Sequence, residues 1–180
     1  MLQSLWIPIV VATVALFLAS FLSWCVLPIH RKDWVKLAKQ DEFMQAVRNC
    51  DVPVGSFMFP AGDSPAETKS EEHRKKWEAG PCGVLTIFGK VNMGRNLGLT
   101  ILYFLVVNFC LAYLATIALK PAANFMEVFR FVSTAGLMTF LAAIVQQAIW
   151  FHNRIVGHIL ESIAYAAISG AVFAALWPKA

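Results

Sequence analysis

Four stretches of this sequence run almost without charge for the length of a membrane crossing, and nothing else constrains the fold as strongly. A hydrocarbon core about 30 Å thick takes about 20 apolar helical residues to span. Leu5 to Ile29, Asn96 to Leu119 and Phe131 to Phe151 contain no charged residue, and Ile159 to Trp177 contains only Glu161. Each is long enough. Charged residues make up 14% of the 180, against about 25% in an ordinary soluble domain. Hydrophobic residues make up 58%, and mean hydropathy is +0.62. The expected fold is an all-α membrane protein of four transmembrane helices, with a small α+β insertion between helices 1 and 2. Its divisions are residues 1–29, 30–95 and 96–180, the last holding spans 96–119, 131–151 and 159–177.

Trp6, Trp24, Trp150 and Trp177 fall near span ends, where an indole can bury its ring and keep its N–H wet. The first span reads as a retained helix. Met1 to Trp6 carries no Lys or Arg, and Leu22-Ser23-Trp24-Cys25 is a poor cleavage box because a bulky Trp precedes the Cys. Orientation follows the cations. Arg31, Lys32, Lys36, Lys39, Lys90, Arg95 and Arg154 flank one side, and only Lys120, Arg130 and Lys179 the other. Both termini are therefore expected outside, periplasmic in a bacterial inner membrane, with the insertion cytoplasmic. Pro121 fits the first position of the third helix, which would set Glu127 and Arg130 on one face as an interfacial ion pair.

Nine of the eleven acids and eleven of the fifteen bases lie between Arg31 and Arg95, so the net charge of +4 implies no nucleic-acid partner. Within the insertion, Asp33 to Asn49 has the apolar spacing of one or two amphipathic helices. Val52 to Pro60 and Cys82 to Gly89 read as strands, Ser64 to Glu67 has capping-box spacing, and Lys69 to Ala79 reads as a helix stopped by Gly80-Pro81. The strands could pair into a minimal sheet. His73, among Glu71, Glu72 and Arg74, reads as part of a solvated face. Cys25, Cys50, Cys82 and Cys110 form no C-x-x-C pair, so free thiols packed as small hydrophobes are expected.

Polar residues gather where the last two spans meet: Gln146, Gln147, His152, Asn153, Arg154, His158, Glu161, Ser162 and Tyr165. His158 and Glu161 are three apart, on one helix face and able to interact, and Ser162 and Tyr165 extend that face inward. An ionisable residue inside a span is a functional candidate by default. The structural alternative is that His158, Arg154 or a glutamine satisfies the Glu161 carboxylate. His30, His152 and His158 share the cytoplasmic side, and H-x-x-E on a helix can supply two metal ligands. Haem between spans would need facing imidazoles from different helices, and none lies deep in an apolar span, so neither a metal nor another cofactor is expected. No Ser or Cys sits in a recognisable nucleophile context beside a His.

The fourth span also carries Ala166, Ala167, Gly170, Ala171, Ala174 and Ala175, a repeated small-x-x-x-small pattern that permits close helix approach. With Asn108 of the second span, Ala166, Ala167, Gly170, Ala171 and Ala174 form a candidate interaction face.

Val26 to Trp34, Phe57-Met58-Phe59-Pro60, Gly80-Pro81-Cys82-Gly83 and the tail from Ala171 to Pro178 together resemble a group of uncharacterised small multi-span bacterial inner-membrane proteins. The resemblance covers most of the chain. It implies a bacterial source and a four-span fold, and supplies no catalytic residues. The leading functional expectation is a non-catalytic membrane subunit, with the lipid bilayer and either itself or other membrane subunits as partners. The alternatives are a small oligomeric transporter or channel using Glu161 and His158, and an interfacial enzyme acting on a lipid or quinone.

Overall fold

The computed structural model describes residues 1–178. Lys179, counted above among the cations beside the termini, lies outside them. The chain forms two compact units: Met1–Val35 with the chain from Asn92 onward, and the insertion Lys36–Val91.

The first unit is a bundle of four helices long and apolar enough to cross a membrane. Residues 2–26 make one continuous rod, opening as a 3-10 turn, running as α1 (Trp6–Phe21) and ending in a wider π turn (Leu22–Val26). The other three are α5 (Met93–Ala118), α6 (Phe125–Phe151) and α7 (Val156–Ala175), numbered after the insertion's three helices. α6 and α7 form the most extensive pair, and α1 lies against α5 and α7. All four spans exist, with shifted ends.

The largest shift is at α6, which starts six residues before the charge-free stretch. Asn124, not Pro121, sets that start. Its side chain accepts from the Glu127 N–H at 3.0 Å while the Glu127 carboxylate accepts from the Asn124 N–H at 2.8 Å. Two unpaired helix-end donors are thereby satisfied, and the last turns of polar sequence become helical. Pro121 sits in the preceding turn. Glu127 thus acts as a helix cap, where an ion pair with Arg130 was expected. Asn92 caps α5 through the Arg95 N–H.

Trp6, Trp24 and Trp150 are largely exposed, as interfacial indoles should be. Trp177 is not. It is buried beyond the end of α7, and its N–H is satisfied by the Lys120 carbonyl at 3.2 Å, which ties that helix end to the α5–α6 connection.

The end of the bundle that carries both termini is filled with apolar side chains. Leu5, Leu111, Val128, Val132 and Phe173 are fully buried there. Gly170 lets α6 and α7 touch: a Cβ on it would stand 2.0 Å from Ser133 Oγ and 3.1 Å from the Phe129 carbonyl. Below this layer, Asn108 is fully buried. It donates to the Phe104 carbonyl (2.9 Å) and to Thr13 Oγ1 (3.5 Å), and accepts from Ser169 Oγ (3.3 Å), linking α1, α5 and α7.

The insertion holds α2 (Gln40–Asn49), β1 (Gly55–Phe59), α3 (Pro65–Thr68), α4 (Glu71–Ala79) and β2 (Gly83–Ile87). The strands pair antiparallel, Gly55 opposite Ile87 and Phe59 opposite Gly83. Only the second half of Asp33–Asn49 is helical. Ser70 caps α4 at the His73 N–H, so the helix begins two residues later than the polar run. Gly80, at φ 58° and ψ −175°, takes a positive-φ extended conformation open chiefly to glycine, which ends it. His73 is buried rather than solvated, because its Nε2 accepts from the Trp77 indole one turn on at 2.8 Å. All four cysteines are free but exposed, where packed thiols were expected. Cys25 and Cys110 lie on apolar span surfaces, and Cys82 donates to the Trp77 carbonyl.

Candidate functional site

The end of the bundle bearing Arg31, Lys32, Arg95 and Arg154, here the basic end, is built differently. Its geometry starts with the π turn. The Leu27 N–H bonds the Leu22 carbonyl five residues back at 2.8 Å, the wide turn that often marks functional positions. Pro28 then holds Leu27 extended, at φ −85° and ψ 143°. One 3-10 turn, Pro28–His30, folds the chain back. His30 thereby returns beneath Ser23 and is itself buried.

His30 is the hub. Its ring stacks on Trp24, centroids 4.0 Å apart and planes 6° from parallel. Nδ1 meets Asp33 Oδ2 at 2.7 Å. Nε2 lies 3.1 Å from Ser23 Oγ and 3.6 Å from Glu161 Oε2. Glu161 enters from α7 with only 9% of its surface exposed. Its Oε1 accepts a short hydrogen bond from the Tyr165 hydroxyl, one helical turn further in. His158 Nδ1 stands 4.0 Å from Glu161 Oε2, and its ring centre is 4.9 Å from that of His30.

Gly157 makes the approach possible. A Cβ there would lie 2.8 Å from His30 Nδ1 and 2.9 Å from Asp33 Oδ2, so any larger residue would push the His30–Asp33 pair off α7. Arg154, expected as a partner for Glu161, instead donates to the Lys32 carbonyl at 3.3 Å. Among the described residues, the only groups able to carry positive charge within 4.0 Å of the Asp33 or Glu161 carboxylates are His30 and His158.

Two clefts meet at this cluster. One, about 350 Å³, is lined by the aromatic rings of Phe17, Phe21, Trp24, Tyr103, Phe104 and Phe140, and Glu161, Ser162 and Tyr165 also face it. The other, about 330 Å³, is polar: Asp33, Gln147, His152, Asn153, Arg154 and His158 border it. The carboxylate of Glu161 thus has apolar space on one side and a polar opening, through His158, on the other.

No protein-family model, curated protein or solved structure matches this chain. What the site can do must therefore be read from its chemistry. Ser23, His30 and Asp33 follow the hydrogen-bonding order of a hydrolytic triad. Their surroundings oppose that chemistry. Ser23 is buried, and Glu161 sets a carboxylate beside the imidazole nitrogen that would take its proton, where an oxyanion would develop. The cluster is suited instead to holding a proton or a cation among two carboxylates and two imidazoles.

Of the polar residues singled out from sequence, Glu161, Ser162 and Tyr165 are buried together, and His158 is partly buried beside them. Ser162 donates to the Phe140 carbonyl across to α6. Gln146 and Gln147 are exposed, Gln147 on the polar cleft. His152 is the left-handed cap of α6, at φ 55°, and also borders that cleft. His30 and His158, expected on the same side, meet there from different segments. Ser23, Trp24, Asp33 and Gly157 were not foreseen as site residues. The sequence signal was Pro28 two residues before His30, but the fold-back it causes depends on the π turn.

The small-residue stripe divides. Ala166, Gly170 and Ala174 are buried within the bundle, and Asn108 is bonded inside it, while Ala167, Ala171 and Ala175 face outward.

Proposed function

We propose that this multi-pass membrane protein draws a lipid-soluble molecule with a hydrogen-bonding head, a quinone or a lipid, into the aromatic cleft and holds that head against Glu161 as its acid–base group, as an interfacial membrane enzyme. One observation carries the reading: a carboxylate buried in a span, held by a tyrosine and two imidazoles, faces an otherwise apolar cleft of about 350 Å³. Such a group is costly in a bilayer and persists where it serves a substrate or proton path. The ring-lined walls suit an apolar body, and Glu161 and Ser162 suit a polar head. His158, on the polar cleft, would pass protons between water and Glu161.

The test uses the full chain in nanodiscs. A short-chain quinone is titrated against indole fluorescence, with Trp24→Phe assigning the signal, and native mass spectrometry reads retained lipid. Saturable quenching, or a stoichiometric lipid, that is lost in both Glu161→Leu and Thr100→Trp, which fills the cleft from its α5 wall, supports the reading. Quenching without saturation together with no retained lipid overturns it.

A second reading is a membrane subunit that packs against a copy of itself or another chain. The outward face of Ala167, Ala171 and Ala175 favours it, because small residues admit close helix approach. A mass in native lipid that stays monomeric, and is unmoved by Ala171→Leu, would remove it. The transporter reading has less support. Polar side chains inside the bundle reach Thr13, Asn108 and Ser169, beyond which Leu5, Leu111, Val128, Val132 and Phe173 fill the interior.

The placement we infer is a bacterial cytoplasmic membrane, termini periplasmic and insertion cytoplasmic. Its support is the weight of Arg31, Lys32, Lys36, Lys39, Lys90, Arg95 and Arg154 against Lys120 and Arg130. A C-terminal reporter active in the cytosol would reverse it.

A further inference from the structure

We propose that His30, His158 and Glu161 form a site for one divalent transition-metal ion, entered from the polar cleft and sharing only Glu161 with the aromatic cleft. Three observations converge on it.

The first is spacing. Glu161 Oε2 lies 3.6 Å from His30 Nε2 and 4.0 Å from His158 Nδ1. Ligands about 2.0–2.1 Å from a tetrahedral ion are about 3.4 Å apart, so each of these two separations needs to close by only a few tenths of an ångström. Ligating atoms of His30, Asp33 and His158 also all lie within 4.8 Å of one another.

The second is the support around these atoms. A ligating histidine characteristically gives its other ring nitrogen to a carboxylate, and a ligating carboxylate is itself hydrogen-bonded. Asp33 occupies His30 Nδ1 at 2.7 Å, leaving Nε2 to face Glu161. Tyr165 occupies Glu161 Oε1, leaving Oε2 to face both imidazoles. Trp24 fixes the His30 ring by stacking, and Gly157 leaves it room. Asp33 and Tyr165 thus turn His30 Nε2 and Glu161 Oε2 toward each other, with the Ser23 hydroxyl beside them.

The third is charge. Asp33 and Glu161 are both buried, and no Lys or Arg among the described residues is within 4.0 Å of either. Two carboxylates packed this closely are strongly unfavourable unless positive charge joins them. A divalent ion supplies the missing charge. Two imidazoles and one carboxylate match Zn2+ or another borderline divalent ion, and leave a fourth position open. The Ser23 hydroxyl, 3.1 Å from His30 Nε2, would give way to the ion or become its neighbour.

The experiment takes the full chain in nanodiscs, thiols alkylated and metal stripped by chelator, and titrates Zn2+ against a colorimetric chelator. The expected result is one ion per chain and a rise in Tm on binding. Glu161→Gln, which keeps an acceptor for Tyr165, and His158→Gln each weaken binding at least tenfold and erase that rise. Asp33→Asn weakens it by about ten- to a hundredfold. Gly157→Ala, which displaces His30, also weakens it, while His73→Gln leaves it unchanged. Uptake below one ion per chain, or uptake indifferent to Glu161→Gln and His158→Gln at unchanged Tm, overturns the proposal. Thr100→Trp separates the two readings: it blocks the aromatic cleft and leaves Zn2+ uptake intact.

Discussion

The two ends of the helix bundle solve the same packing problem in opposite ways. At the end bearing the termini, Phe173, Val128, Val132, Leu5 and Leu111 close the interior with hydrocarbon, and Gly170 brings α6 against α7. At the basic end the corresponding space holds His30, Asp33, Glu161, His158 and Tyr165 beside two clefts. Both regions belong to the same four apolar helices. Lipid offers no hydrophobic drive for helix association, so close contact holds the first end and hydrogen bonds hold the second. The first end also has a cleft, about 400 Å³ against Leu2, Trp6, Ile9, Leu105 and Phe109, but it is almost wholly apolar; the clefts at the second end meet ionisable groups. The fold is fastened at one end and open for chemistry at the other.

This contrast can be broken most sharply at Gly170. Gly170→Ala sets a methyl against the Phe129 carbonyl and Ser133, and should cost about 3 kcal/mol of unfolding free energy in bicelles. Ala171→Leu, one position on and exposed, should stay within about 0.5 kcal/mol. Equal effects would mean that close contact does not hold this end. At the basic end, Tyr165→Phe leaves Glu161 Oε1 buried without its donor and should cost about 1–2 kcal/mol by the same measurement. A neutral result would place water, not Tyr165, on the carboxylate. Asn108→Leu, at the boundary between the regimes, should cost about 1 kcal/mol, since membrane hydrogen bonds are individually modest.

The smallest effect lies in the insertion. Lys76 beside Glu72, 2.8 Å away, holds the glutamate pKa below its ordinary value of 4.5. Stability from this pair is therefore present above that value and fades as pH falls through the lowered one. Glu72→Gln should flatten the acid limb of the insertion's unfolding curve by lowering stability slightly at neutral pH and leaving it unchanged at the acid end. An unaltered acid limb would show that the exposed pair contributes nothing.

Much of the bundle was legible because hydropathy over long windows fixes spans without knowledge of their neighbours. The insertion's strands were legible for a similar local reason: Phe57-Met58-Phe59 and Val84-Leu85-Thr86-Ile87 are β-forming runs between Pro and Gly. Span ends were less so. α6 begins at Asn124 because a cap and a carboxylate three residues apart outweigh the charge of Glu127 and Arg130, and a hydropathy count registers only that charge. Half of the site could be read from the spacing of α7, since His158, Glu161, Ser162 and Tyr165 share one face. The other half could not. His30 and Asp33 reach Glu161 across more than a hundred residues of chain, through a π turn that no local pattern announces. The stripe of small residues was visible, but which half faces inward depends on where α6 lies.

Meeting of the His30 turn with α7 is the claim on which both functional proposals stand, and solid-state NMR of the labelled chain in lipid tests it directly. Dipolar dephasing between the His30 side-chain nitrogens and the Asp33 carboxyl carbon depends only on the local turn and serves as the internal standard. Dephasing of His30 Nε2 by the Glu161 carboxyl carbon reports the long-range contact, and the 3.6 Å separation from Oε2 predicts a strong effect. Dephasing from Asp33 with none from Glu161 would contradict the account.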